Sequence, residues 1–465
     1  MKKAIYILFA ILITSKIQAQ DIAGKWNGIL DVQGTQLKLV FNITKTDNGI
    51  SATMDSPDQG ATGIPTTSAN FENPVLKIAI ANIKMEYEGK LESDNTIKGT
   101  FKQAGMTLPL NLTKSAVEKT KIVRPQEPAK PYSYYSEDVT FLNSKDQITL
   151  AGTLTLPQKE GNFPVVVLIS GSGPQNRDEE LLGHKPFLIL SDYLTKNGIG
   201  VLRYDDRGTA ESKGDFKSAT SQDFASDVEA AVAYLKTRKE VNKSKIGLMG
   251  HSEGGIIAPM VAAKSKDVNF IVLLAGTGIK GDELLALQMK LIAKASGESD
   301  SDIEMSQKIS KKVFEMVNNA QNTETLKREM TDYLLKTLKE NPEAKPKEMS
   351  AEDFTKIQVT TFTSPWMQYF LKYNPATTLE KVKCPVLAVT GAKDLQVPSQ
   401  INLNAIEKSL KKAGNKNVTT IEFPNLNHLF QECTTGSPDE YSKIEQTFSP
   451  SALKTISDWV SKQVK

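Results

Sequence analysis

The stretch Lys245-Ile246-Gly247-Leu248-Met249-Gly250-His251-Ser252-Glu253-Gly254-Gly255 constrains this chain more than any other. Apolar residues run straight into Gly-x-Ser-x-Gly, and the sequence from Gly254 to Ala263 then reads as helix. A strand that bends at once into a helix, with a serine at the bend, needs a strained backbone and leaves the hydroxyl exposed. Gly250 and Gly254 leave room where a Cβ would clash. Taken alone, Gly-x-Ser-x-Gly is also met in ordinary surface turns; the strand before it and the helix after it give it weight.

The surroundings agree with that local geometry. Strands are predicted near 137–142, 148–156, 164–170, 199–203, 245–250, 269–275, 384–390 and 418–423. Helices are predicted near 185–197, 220–238, 254–264, 399–412 and 449–463. Such alternation builds a doubly wound, mostly parallel sheet with helices on both faces. Wholly apolar runs such as Val165-Val166-Val167-Leu168-Ile169 are what strands covered on both sides look like. Between Gly278 and Pro375 the strand rhythm stops. Leu284, Leu285, Leu287, Met289 and Leu291, then Val313, Phe314 and Met316, follow amphipathic helical spacing. This predicts a helical cap at about 279–376, inserted between two sheet strands, with Phe362, Trp366 and Phe370 on one helical face and Pro365 near its start.

The amino-terminal third is different. Residues 1–19 have a basic start, a short apolar core and a small residue at the expected cut, the pattern of a signal peptide. The mature protein is therefore expected to be exported, periplasmic or secreted, with no membrane anchor. Residues 20–115 alternate apolar and polar positions, as in Leu37, Leu39, Phe41 and Ile43, in Met85, Tyr87 and Leu91, and in Met106, Leu108, Leu110 and Leu112. Short alternating strands with polar turns predict a small all-β domain, a sandwich or barrel with one apolar interior. Its opening, Gly24-Lys25-Trp26-Asn27-Gly28, resembles that of small lipocalin-like barrels, and Trp26 is expected to pack in the core or plug the barrel. Residues 116–135, with Pro125, Pro128 and Pro131, read as a stiff linker. The α/β domain then occupies 136–465.

Charge excludes some partners. Cutting off residues 1–19 removes Lys2, Lys3 and Lys16 and no acid, so the 57 basic and 54 acidic residues of the whole chain become balanced. There is no electrostatic case for nucleic acid or an anionic membrane. Two cysteines and three histidines, scattered along the chain, form no zinc pattern. Cys384 and Cys433 are placed near opposite ends of a strand, beyond disulfide reach, and are expected to be free.

A serine hydroxyl attacks only when a base takes its proton. His251 adjoins Ser252 on the sharp turn and should point away from its hydroxyl. His184 follows the third strand, before most of the sheet is built. His428, in the loop after the last predicted strand, is the histidine placed to reach Ser252. Asp394 stands just past the end of strand 384–390, where an acid could fix the tautomer of His428; its bland reading is a helix N-cap, a place Ser399 fills better. The oxyanion donors are expected to be the backbone N–H groups of Glu253 and Ser172, the latter in the glycine-rich turn Ser170-Gly171-Ser172-Gly173-Pro174. The Glu253 carboxylate is left to face either neighbouring loops or substrate. Arg203, Asp205, Asp206 and Arg207 are expected to brace the loop after strand four by ion pairs. Trp366 is the candidate substrate contact.

These motifs carry a family resemblance. Residues 137–465 resemble the α/β-hydrolase superfamily, and the order Ser252, Asp394, His428 is the order that pattern has. Ser170-Gly171-Ser172-Gly173-Pro174-Gln175-Asn176-Arg177-Asp178 is similar to the oxyanion strand end of bacterial esterases, and Arg203-Tyr204-Asp205-Asp206-Arg207-Gly208 to a signature of serine aminopeptidase-like hydrolases. Where relatives tend to carry glycine, this chain has Ala210. The resemblance implies Ser252, Asp394 and His428 as the triad. The expected function is cofactor-free hydrolysis of a small-molecule carboxylic ester through an acyl-enzyme. Two rivals stand beside it: an aminopeptidase-like amide hydrolase with the same triad, and a binding protein on a degenerate hydrolase scaffold. Subunit pairing through the β domain stays open.

Overall fold

The computed structural model describes residues 22–32, 35–47, 49–57, 61–103, 106–118, 124–346, 349–412 and 414–465. The expected signal peptide at 1–19 lies outside them. The chain divides into two compact units, 1–121 and 122–465.

The first unit is an antiparallel sheet. Its strands are β1 (Gly24–Val32), β2 (Thr35–Thr46), β3 (Gly49–Ser56), β4 (Ala61–Pro65) and β5 (Ser68–Glu72). They continue as β6 (Val75–Ile80), β7 (Met85–Ser93), β8 (Thr96–Gln103), β9 (Met106–Pro109) and β10 (Leu112–Thr113). Ladder order is β4-β3-β2-β1-β10-β8-β7-β6-β5, with β9 joined to β8. The sheet curls as a half-barrel, and among the described residues no ladder joins its end strands β4 and β5. Period-two patterning fills one interior: Trp26, Leu39, Phe41, Ile43, Tyr87 and Ile97 are all buried there. Trp26 is fully buried, its indole N–H donates to the Ile22 carbonyl at 2.7 Å, and Lys114 Nζ lies 5.2 Å from its ring centroid. It is a core residue. Met106 breaks the expected pattern and is exposed, because β9 lies off the main ladder path.

In the second unit the proline-bearing stretch is tied down rather than free. Arg124 donates to the carbonyls of Ile444 at 2.7 Å and Leu182 at 3.1 Å, and Gln126 to that of Phe448 at 2.7 Å. Two antiparallel strands follow, β11 (Tyr135–Asn143) and β12 (Ile148–Leu156), then β13 (Phe163–Ile169), helix α1 (Pro186–Lys196) and β14 (Gly200–Tyr204). Next come α2 (Ser221–Thr237), β15 (Val241–His251), α3 (Gly254–Ala262) and β16 (Phe270–Leu274). After the insertion the chain resumes with β17 (Val386–Gly391), α10 (Ser399–Lys412), β18 (Val418–Phe423) and α11 (Pro450–Gln463). Sheet order is β11-β12-β14-β13-β15-β16-β17-β18, parallel from β14 to β18. Successive residues of β13 serve opposite cores: Val165, Val167 and Ile169 pack with α2, α3 and α10, while Val166 and Leu168 pack with α1 and α11. That is the doubly wound sheet the apolar run implied.

The insertion is helical, with α4 (Gly281–Ala295), α5 (Asp300–Asn319), α6 (Thr323–Glu340), α7 (Ala351–Phe362), α8 (Pro365–Lys372) and α9 (Ala376–Leu379). Phe362 does not share a helix with Trp366. Helix α7 ends at Phe362, and Ser364 then caps α8 by accepting from the Met367 amide at 3.3 Å, with Pro365 at its first position. Phe362 turns into the cap's own core beside Phe314. Trp366 and Phe370 stack with ring centroids 5.2 Å apart.

Candidate active site

Ser252 stands between β15 and α3 with φ +53°, a left-handed conformation that costs a non-glycine residue energy. The neighbouring strands dictate why its flanks are small. A Cβ on Gly250 would run into the Gly254 carbonyl, and one on Gly254 into the Ile169 carbonyl. Ser252 N–H donates to the Leu274 carbonyl at 2.8 Å, and the Gly255 amide donates to the Ser252 carbonyl at 2.9 Å, which pins the bend. Glu253 is the N-cap of α3, so its amide lies at the positive end of the helix dipole.

Asp394 and His428 meet beyond the carboxyl ends of β17 and β18. His428 Nδ1 lies 2.8 Å from Asp394 Oδ2, and both side chains are buried. The other Asp394 oxygen accepts from the amides of Gln396 at 2.8 Å and Val397 at 2.7 Å. It is thus fixed by its own turn and caps no helix. The His428 loop is held by Asn427, whose Oδ1 accepts from Leu429 and Gln431 amides, both at 3.0 Å.

Ser172, Ser252, Glu253, Trp366, Phe370 and Gln396 line one cavity of about 70 Å³, roofed from α4 and α8. Glu253 spans it. Its carboxylate accepts from the Ser221 hydroxyl at 2.5 Å and from the Trp366 indole N–H at 2.7 Å. Burial raises its pKa, against the lowering effect of those two bonds. The sequence leaves its role between neighbouring loops and substrate; its partners lie instead at the starts of helices α2 and α8, and it borders the cavity. Thr277 also lines this space, and among the described residues its buried hydroxyl has no hydrogen-bond partner.

The loop that carries Ser172 is clamped from the end of the adjacent strand. The Arg-Asp-rich signature at the end of β14 forms its ion pairs with residues outside itself. Arg177 donates to Asp205 at 2.6 Å, Asp178 forms an ion pair with Arg203, and Asp206 accepts from the Ser170 hydroxyl at 2.6 Å and the Gln175 amide at 2.9 Å. Burial pushes the Asp206 carboxyl up to about 8, against those two bonds. Arg207 reaches away to Asp227 at 2.7 Å and Asp146 at 2.8 Å. Ala210, where relatives tend to have glycine, sits at φ +46°.

The other two histidines are occupied. His184 is buried between Thr447 Oγ1 at 3.0 Å and the Tyr441 carbonyl at 2.9 Å, and burial lowers its pKa to about 4. His251 Nδ1 lies 2.9 Å from Glu179 Oε1, and Nε2 lies 3.0 Å from the His428 carbonyl. Glu179 is a residue the sequence reading passed over. It directly follows Arg177-Asp178, the end of the donor motif. Cys384 and Cys433 are both free. Among the described residues no helix is long and apolar enough to cross a membrane.

The profile of the X-Pro dipeptidyl-peptidase (S15) family matches residues 146–417. The chain belongs to the S15 family. The match takes in Ser252 and Asp394, while His428 lies eleven residues or so past its end. Among relatives, the S15 chain is 27% identical to esterase EstD of Thermotoga maritima over 352 residues, 75% of this chain and 72% of that one. An esterase structure from Pyrococcus furiosus has 16% identity and a TM-score of 0.43, covering 71% of this chain and 93% of that one. Est1E of Butyrivibrio proteoclasticus, solved with ferulic acid, has 18% identity and a TM-score of 0.40, covering 70% and 99%. The chain is an α/β-hydrolase of esterase-like type, and a hydrolase by family.

Proposed function

We propose that this protein is an exported serine hydrolase that cleaves small carboxylic esters through an acyl-enzyme. One observation carries the reading: Ser252 shares a cavity with Ser172 and Glu253, while His428 is bound through Nδ1 to a buried aspartate in the neighbouring loops. With Nδ1 engaged, Nε2 is the nitrogen left to take the Ser252 proton. The serine oxygen then bonds to the ester carbonyl carbon, and the carbonyl oxygen becomes an anion. Amides of Ser172 and Glu253 receive it. Collapse breaks the carbon–oxygen bond to the alcohol, which leaves with the proton from His428. Water, deprotonated by His428, attacks the acyl carbon, the bond to the Ser252 oxygen breaks, the carboxylic acid leaves, and the serine oxygen takes the proton back from His428. The aromatic roof of Trp366 and Phe370 favours an apolar acyl group, and a cavity of about 70 Å³ favours a short one. The leader pattern at 1–19 supports export.

A second reading is amide cleavage after a free amine. Two observations favour it: membership of the X-Pro dipeptidyl-peptidase (S15) family, and Glu253 at the cavity wall. Against it, the Glu253 carboxylate already accepts two hydrogen bonds. Turnover of nitrophenyl esters from acetyl to decanoyl, set beside aminoacyl and Xaa-Pro anilides, separates the two. Short esters are expected to turn over fastest, and faster turnover of the anilides would replace ester with amide hydrolysis.

A further inference from the structure

Four groups form an unbroken chain under the site. The Gly171 amide donates to Glu179 Oε1 at 2.7 Å. The same oxygen lies 2.9 Å from His251 Nδ1, and His251 Nε2 lies 3.0 Å from the His428 carbonyl. One end is the donor loop that carries Ser172; the other is the backbone of the proposed base. A backbone carbonyl can only accept, so Nε2 must carry a proton. Glu179 Oε1 already accepts from the Gly171 amide and presents an acceptor to the ring, so Nδ1 must carry one too. We propose that His251 is a positioning residue held as a doubly protonated imidazolium, whose two N–H groups fasten the His428 loop to the Glu179-bound donor loop. This deepens the serine-hydrolase reading above and rests on it.

The surroundings bear on which group holds the proton. Burial of His251 opposes the charged ring, yet the attraction of Glu179 outweighs it, helped by the bond to the His428 carbonyl and by the more distant Asp394, and the pKa is raised. The other neighbours on the ring are His428, with centroids 4.8 Å apart, and the uncharged Phe430 at 6.4 Å. Asp206 is also near Glu179, and burial, helped by the Glu179 charge, raises its carboxyl to about 8. Since the folded pKa is raised, the fastening is fully present below the ordinary imidazole value and is lost as pH rises through the raised one. On deprotonation the remaining proton stays with the carboxylate at Nδ1, leaving bare Nε2 against the His428 carbonyl. The base then loses its backbone anchor, and kcat falls on the alkaline side with little change in KM.

The chain has three histidines, so nitrogen-15 labelling of histidine in the full-length protein resolves each ring. Expected at pH 7 is His251 with both nitrogens protonated and His184 neutral. The pH at which His251 loses its second proton should coincide with the alkaline fall of kcat. In Glu179→Gln, His251 should show one bare nitrogen at pH 7, and the alkaline fall should move by a pH unit or more, whatever the absolute rate. A bare His251 nitrogen in the wild-type protein at pH 7 overturns the proposal, as does an alkaline limb that ignores the His251 titration. If Glu179→Gln does not fold, the wild-type comparison decides alone. Labelling of Ser252 by a fluorophosphonate tests the underlying hydrolase reading separately, because it reads the nucleophile and not the ring.

Discussion

Replacing Asp394 by asparagine removes one charge and almost no volume, and the structure dictates how the new amide must lie. Asp394 uses one oxygen for the Gln396 and Val397 amides, at 2.8 and 2.7 Å, and the other for His428 Nδ1 at 2.8 Å. Asparagine has one acceptor and one donor group. Turning its NH₂ toward the two amides would forfeit two buried hydrogen bonds, at about 1–3 kcal/mol each. The oxygen therefore stays with the turn and the NH₂ faces Nδ1. A donor there holds His428 in the tautomer with its proton on Nε2, which cannot accept the serine proton. From what the equivalent change does in a Ser-His-Asp triad, kcat should drop by about 10³–10⁴-fold, equivalent to roughly 4–5.5 kcal/mol of barrier. KM should change by only a few-fold, and thermal unfolding should stay near wild type because the turn keeps its bonds. Steady-state hydrolysis of nitrophenyl acetate and a circular-dichroism melt measure both. A folded Asp394→Asn with kcat within tenfold of wild type would refute the assignment of Asp394 and His428.

Further consequences follow from other contacts. Trp366→Phe keeps the stack on Phe370 but deletes the N–H that Glu253 accepts. Leaving a buried acceptor without its partner costs about 1–3 kcal/mol, so kcat/KM should fall between about fivefold and a hundredfold; unchanged kinetics would remove Trp366 from the site. Trp26→Ala empties a fully buried site in the half-barrel and should destabilise that unit by about 3–5 kcal/mol, read from its denaturant midpoint. His184, whose pKa burial lowers to about 4, binds its proton more readily when unfolded, where the value is about 6.5. Stability should thus fall as pH drops from about 6.5 to 4, by up to ~3 kcal/mol from this group, then level off. His184→Gln should flatten that part of the pH–stability curve, and an unchanged slope would contradict the assignment.

Period and order carried most of the fold in the sequence. The all-apolar Val165–Ile169 run and the elbow around Ser252 express requirements of backbone geometry, so they read directly, while the succession Ser252, Asp394, His428 is legible as the order of the family that the chain resembles. Side-chain partners across loops did not. Arg177 with Asp205 and Asp178 with Arg203 join motifs about 25 residues apart, and charge alone cannot say which acid takes which base. The Phe362 misplacement has a local cause: Ser364-Pro365 stops one helix and caps the next, while the aromatic spacing continues across the break. The place of His251 on the turn argues against it as the base, and both its ring nitrogens are engaged elsewhere. That reasoning could not find Glu179, because nothing in a single sequence marks a carboxylate that will be buried against a histidine 72 positions away.

The central claim is that Ser252 is an activated nucleophile. Its most direct test is intact-mass and peptide-level mapping after treatment with a fluorophosphonate, alongside loss of ester hydrolysis. The account expects one adduct per chain, on the peptide that carries Ser252, formed in step with inactivation, absent in Ser252→Ala and strongly slowed in Asp394→Asn. A folded, ester-hydrolysing protein with no adduct at Ser252, or full activity in Ser252→Ala, would contradict it.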